Sequence, residues 1–240
     1  DFERQAILYL PRAMPDPRSP EFTQLAAGEI VKILTATDGR AFVLCTSFQS
    51  MNALYEIVSS RVGYKCLVQG TMSKAGLLDR FRETPNAVLF ATSSFWQGVD
   101  VQGDQLSAVI IDKLPFASPG DPIVAARIDA LTGQGMSAFE AYQVPLAILA
   151  LQQGLGRLIR HRTDRGILAV LDPRIRSMGY GRRFLASLPP APVTYDMEQV
   201  RRFFADGAFS QAFVPLLARE REAGGDAAVR PLIDATATCL

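Results

Sequence analysis

Six short runs rich in β-branched and aromatic residues, interleaved with longer segments of helical period, leave this chain few ways to fold. The runs are Ala6–Leu10, Phe42–Cys45, Lys65–Val68, Ala87–Ala91, Ser107–Asp112 and Ile167–Leu171. Helical period is read over Pro20–Thr37, Phe48–Arg61, Lys74–Glu83, Asp121–Leu131, Ala138–Arg160, Tyr180–Leu188 and Met197–Ala205. Runs such as VLF and AVII are apolar at every position, as strands are when helices cover both faces of a sheet. The expectation is an α/β protein: a parallel sheet with helices on both faces. At 240 residues and 48% apolar content the chain has ample material for a full core.

The Pro-rich stretch Leu188–Pro192 reads as a separator between this core and a C-terminal piece of one or two helices. Residues 1–205 are taken as one domain and 206–240 as a helical or partly disordered tail. The chain starts at Asp1, without a methionine and in an apparently structured segment, so it is expected to be a piece of something longer.

Global charge says nothing about partners, since 25 lysines and arginines face 24 acids. The charge is instead local. Residues 153–183 carry eight arginines (157, 160, 162, 165, 174, 176, 182 and 183) against Asp164 and Asp172. Cys45, Cys66 and Cys239 have no paired spacing, and His161 is the only histidine, so neither zinc nor iron–sulfur ligation is supported and no metal site is expected. No run reaches the roughly 18–20 apolar residues of a membrane span. A reducing, cytoplasmic setting is the reading that follows.

Ligands of open parallel sheets bind at the carboxyl ends of the strands. There the sequence is polar: Thr46 and Ser47 follow one run, Thr92, Ser93 and Ser94 another, Lys113 a third, and Asp172 with Arg174 a fourth. The sharpest feature is Gln153-Gly154-Leu155-Gly156-Arg157-Leu158-Ile159-Arg160, at the end of an apolar helical segment. On one continuous helix, Gln153, Arg157 and Arg160 at i, i+4 and i+7 share a face. One amide and two forked cations aimed at a point suit a phosphate chain. The alternative is a solvated helix C-terminus whose arginines complement the dipole.

Ser94-Phe95-Trp96-Gln97-Gly98-Val99-Asp100 follows the run Ala87–Ala91. Gly98 lets a loop approach a nucleotide, and Asp100 can accept from a ribose hydroxyl or an arginine. For Phe95 and Trp96, core packing is the commoner fate. Trp96 and Phe116 are also candidates for stacking on a base. Cys45-Thr46-Ser47-Phe48 leads into a helix and offers hydroxyls and free amides to a backbone phosphate, although an N-cap serine is equally frequent as plain structure. No GxxxxGK[ST] loop and no acidic metal-holding cluster occurs, so gripping a triphosphate and Mg²⁺ is left to another domain.

With these residues quoted, VLCTSF (43–48), SSFWQGVDVQG (93–103), DKLPFASPGDP (112–122), QGLGRLIRHRTDRGILAVLDPRI (153–175) and YGRRFLASLPP (180–190) resemble the second RecA-like domain of DinG/XPD-type superfamily-two DNA helicases, the bacterial YoaA-like branch above all. The resemblance covers residues 1–205. It implies that Thr46, Ser47 and Ser94 hold phosphates of single-stranded DNA, and that Gly98 and Asp100 couple the strand to the nucleotide. It further implies that Gln153, Arg157 and Arg160 face the ATP γ-phosphate held by a first RecA-like domain. Gln97 stands where many relatives carry glutamate. ATP and Mg²⁺ in the intact enzyme, 5′ to 3′ unwinding, an iron–sulfur cluster in the other half and a replication or repair partner are the family's implications. A non-catalytic RecA-like module, and a helicase acting on RNA, remain the alternative readings.

Overall fold

The computed structural model describes residues 2–92, 95, 105–118, 120–155, 158 and 165–205. The chain divides into two compact units, Asp1–Val200 and Arg201–Leu240. In the first, seven strands form one sheet: β1 (Ala6–Tyr9), β2 (Ala41–Cys45), β3 (Cys66–Val68), β4 (Val88–Thr92), β5 (Ala108–Ile111), β6 (Gly166–Val170) and β7 (Val193–Thr194). Their spatial order is β3-β4-β2-β5-β6-β1-β7, and every pairing is parallel. Every residue of β1, β2, β4, β5 and β6 is buried, which is the physical meaning of runs that are apolar on both faces.

The helices are α1 (Phe2–Gln5), α2 (Phe22–Thr37), α3 (Phe48–Ser59), α4 (Lys74–Glu83), α5 (Pro122–Gly133), α6 (Val144–Leu155), α7 (Arg174–Ser177) and α8 (Gly181–Ser187). A further helix covers residues 197–205. Ser47, Ser73 and Asp121 cap α3, α4 and α5, each accepting from a first-turn amide.

Three expectations change. The Pro-rich stretch before residue 193 is no separator: it leads straight into edge strand β7, with Leu8 N–H donating to the Pro192 carbonyl at 2.8 Å. Prolines lack the donor a central strand needs, and an edge tolerates that lack. The helix expected over Ala138–Arg160 begins as a π-helical turn, Phe139–Gln143, in which Val144 N–H reaches the Phe139 carbonyl. Pro145 follows immediately, cannot donate, and would crowd the carbonyl four residues back, so the wider turn absorbs it.

The same helix also ends sooner. It stops at Leu155, and Leu158 lies in a bend with 4% of its surface exposed. Leu158 packs over the start of β6, where a Cβ on Gly166 would stand 2.5 Å from its side chain. Gly154, in the last turn, weakens the helix by about 1 kcal/mol relative to alanine, and burial of Leu158 stabilises the departure.

The α2–β2 connection leaves the fewest options. Asp38, Gly39 and Arg40 all hold positive φ, and a Cβ on Gly39 (φ +72°) would lie 2.1 Å from the Asn86 carbonyl oxygen. Gly39→Ala is expected to cost about 2 kcal/mol or more through strain and displacement of that turn. For a unit of this size that is a fall in Tm of roughly 4–8 °C, readable by thermal melting. An unchanged Tm would show that the turn yields freely.

Candidate functional site at the carboxyl edge of the sheet

The carboxyl ends of β2, β5 and β6 lie side by side, and a buried carboxylate closes two of them. Asp112, directly after β5, has a fully buried side chain. Its Oδ1 accepts from Thr46 N–H (3.1 Å) and Lys113 N–H (2.7 Å), and its Oδ2 from the Ser50 hydroxyl (2.7 Å) and Lys113 Nζ (2.9 Å). Burial pushes the Asp112 carboxyl above its ordinary value, while Lys113 and Ser50 pull it back. Four convergent donors, one an ammonium, match the ionised form. Lys113 Nζ also lies 5.1 Å from the Phe22 ring centroid, and its nitrogen is 2.7 Å from Ser50 Oγ.

This network seats the first turn of α3. Ser47 has extended backbone and its Oγ accepts from Ser50 N–H at 3.1 Å. Both readings of Ser47 therefore hold together: the oxygen caps the helix, and the hydroxyl proton is still available to an acceptor such as a phosphate oxygen. Thr46, half-buried, has its amide committed to Asp112.

Asp172, after β6, repeats the device. Its side chain is fully buried, and it accepts from Leu114 N–H (2.9 Å), from Arg174 N–H (3.0 Å) and from the Arg174 guanidinium through Nε (2.9 Å) and Nη2 (2.6 Å). The Asp172 hydrogen bond raises the Arg174 pKa further. At β4, Thr92 donates through both N–H (2.7 Å) and Oγ1 (3.0 Å) to Gln69 Oε1.

Of the residues read from sequence, Thr46 and Ser47 come together at the start of α3, and Gln153 is exposed in the last turn of α6. Ser94, Trp96, Gly98, Asp100, Arg157 and Arg160 lie outside the described residues. Of the segment from Gly156 to Arg160 only Leu158, in a bend, is among the described residues, so the shared face of Gln153, Arg157 and Arg160 lies outside them. Phe95 is buried in the core. Phe116 is half-buried and sits in an aromatic cluster: Phe139 stacks on it at 5.5 Å and Tyr180 and Phe184 meet it edge-on.

Sequence reasoning missed Ser50, Gln69 and Asp112 as site-builders. For Asp112 a signal existed: an acid that directly ends an apolar run and precedes a lysine must be buried with a counter-charge. For Gln69 there was none. Among the described residues no group of three His, Cys, Asp or Glu side chains is placed to hold a metal ion, and no helix is long and apolar enough to cross a membrane.

A seven-stranded parallel sheet of this order with a charged, hydroxyl-rich carboxyl edge is a RecA-like domain. It superposes on the solved structure titled XPD_Helicase with a TM-score of 0.60 at 18% identity, over 79% of this chain and 36% of that one, a likeness of fold. The family model described as the helicase C-terminal domain matches residues 30–191. The chain belongs to that family, in its DinG/XPD branch. It is 46% identical over 205 residues to the ATP-dependent DNA helicase YoaA of Escherichia coli (strain K12), covering 85% of this chain and 32% of that protein. It is 39% identical over 199 residues to the ATP-dependent helicase DinG of Mycobacterium tuberculosis (strain ATCC 25177 / H37Ra), covering 82% and 30%. The chain thus spans about a third of the length of these relatives.

Asp112→Ala strands four donors and leaves the Lys113 ammonium without its counter-charge, which is expected to cost about 3–5 kcal/mol. Ser47→Ala removes one cap and costs about 1 kcal/mol. Urea unfolding ranks the two, and equal losses would show that Asp112 does not anchor this edge.

Proposed function

We propose that this chain is the second motor domain of an ATP-dependent 5′ to 3′ DNA helicase acting in DNA repair or replication in the cytoplasm. In this reading it supplies the arginine finger and part of the single-stranded DNA track. Membership of the helicase C-terminal domain family supports the reading, as do relatives named ATP-dependent DNA helicases. The observation that carries it is the pinned first turn of α3. Asp112 holds Thr46 N–H and Ser50 Oγ, so the Thr46 and Ser47 hydroxyls are presented at a helix N-terminus already organised to receive an anion.

Thr46 and Ser47, with Ser94 after β4, hold consecutive strand phosphates, contacts that position DNA without reading its bases. Gln153, Arg157 and Arg160 face the γ-phosphate of ATP bound with Mg²⁺ on a first RecA-like domain, and Gly98 and Asp100 link that contact to the strand. An iron–sulfur cluster is assigned to the other half of the longer protein, and a replication or repair protein is the further partner. Stabilisation by the arginines exists only when the two domains close, so hydrolysis becomes alternating grip on the strand.

Arg160→Ala in the full-length helicase is expected to lower DNA-stimulated ATP hydrolysis by about 10³ to 10⁵, with strand binding retained. Arg160→Lys restores little, because lysine keeps the charge and loses the planar fork. Steady-state assays at saturating single-stranded DNA measure this, and near-normal turnover in Arg160→Ala would remove the finger. The 240-residue chain alone is expected to hydrolyse no ATP and to bind oligodeoxythymidine more weakly as salt rises. Salt-insensitive binding would rule out phosphate tracking and favour a module that docks a protein.

A further inference from the structure

α6 is apolar on two faces, and the fold covers only one of them. Val144, Ala147 and Leu151 face the core and have no exposed surface. Leu146, Leu149 and Gln153 repeat that spacing two residues later, which at about 100° per residue turns them to the opposite side of the helix. There Leu146 is 37% exposed and Leu149 50%, with Pro145 exposed beside them. From Ala141 to Leu155 the sequence holds no acid, lysine, arginine or histidine. α4 shows the contrast, since Lys74, Asp79, Arg80, Arg82 and Glu83 are all exposed around its buried Leu77, Leu78 and Phe81. A helix whose outer side stays in water carries charge there, and α6 carries none.

The helix is also held so that this face keeps its direction. Gln152 Nε2 donates to the Ser187 carbonyl at the end of α8 (2.6 Å), and Arg183 of α8 pairs with Glu140 (2.6 Å) at the π-helical turn. α8 thus braces one flank of α6 and leaves Leu146 and Leu149 uncovered. The occupant follows from what shares the face. Gln153 stands four residues beyond Leu149 and seven beyond Leu146, in one line along the helix. It is the residue assigned above to ATP held on the first RecA-like domain. A domain that brings its nucleotide to Gln153 brings its own surface to Leu149, about 6 Å back along the axis, and to Leu146, about 10 Å back. Nucleic acid does not fit, since a phosphate would meet no cation between residues 141 and 155. Three side chains also fall far short of the roughly 800 Å² per partner that a stable contact between free proteins buries, which disfavours a second copy. A domain of the same longer chain needs less area, because its linker sets a high effective concentration. Relatives three times the length of this chain have room for such a domain.

We propose that Pro145, Leu146 and Leu149 form an apolar docking ridge for the first RecA-like domain, covered when the two domains close on ATP and bared when they part. The ridge rests on the helicase reading above, because Gln153 gives it its direction.

Thiol accessibility in the full-length helicase tests it. Leu149→Cys, treated with N-ethylmaleimide and read by peptide mapping, is expected to react roughly 10-fold more slowly in the full-length protein than in the 240-residue chain, when a non-hydrolysable ATP analogue, Mg²⁺ and oligodeoxythymidine are present. Leu149→Asp in the full-length protein is expected to lower kcat/KM for ATP by about 10-fold. Its Tm and strand affinity should stay as they were, because the altered side chain is half in water when the domains are apart. Leu149→Met, which restores an apolar contact, should recover most of the loss. Equal reactivity in the two settings, or wild-type kcat/KM in Leu149→Asp, would overturn the ridge. With Arg160→Ala still inactive, that result would leave the helicase reading standing, whereas near-normal turnover in Arg160→Ala would remove both. Protection that appears in the 240-residue chain as its concentration rises would give the face to a second copy and overturn the proposal.

Discussion

Two carboxylates with no access to solvent hold this molecule's working edge together. Asp112 and Asp172 end neighbouring strands β5 and β6, and a buried charge is tolerable only when donors surround it. Each therefore gathers what lies next to it. Asp112 gathers the β2–α3 turn and Lys113, while Asp172 gathers Leu114 N–H and Arg174. Because Leu114 belongs to the chain leaving β5, the two clusters are mechanically one. A parallel sheet would otherwise splay its loops at this edge. Here the loops are tied by charge-assisted bonds shorter than 3.2 Å.

The region around α6 shows how local defects set the geometry near the proposed nucleotide contact. Pro145 forces a π-helical turn, and that turn places Phe139 against Phe116 and Tyr180 at the carboxyl edge. At the other end, Leu158 lies in a bend and packs on the start of β6 at Gly166. One helical segment thus runs from the aromatic cluster of Phe116, Phe139 and Tyr180 to Leu155. Both ends are fixed by residues that break helical regularity.

The five interior strands β4, β2, β5, β6 and β1 were legible because burial on both faces demands uninterrupted apolar runs, and each of them, like edge strand β3, lies within a residue or so of its expected place. Thr46 and Ser47 were legible as a cap and a candidate phosphate cradle because hydroxyls before a helix announce an N-terminus. β7 was not legible. It pairs through only two residues beside prolines that, read alone, signal a break. The role of Gln69 was equally hidden, because a glutamine that satisfies a threonine 23 positions away leaves no periodic trace.

Sequence by itself determined the fold class and the family, since both rest on local chemistry: the period of apolar residues, and hydroxyls, glycines and arginines at set spacing after strands. Tertiary structure decided which of those groups meet. The strand order brings β5 next to β2, so Asp112, at the end of its own strand, accepts from Thr46, 66 positions earlier. It also decided that α6 ends at Leu155 when the apolar period alone ran on to Arg160. The reason is the same in both cases. Desolvation of a carboxylate and burial of a leucine are settled by neighbours that the chain supplies only after it has folded back on itself.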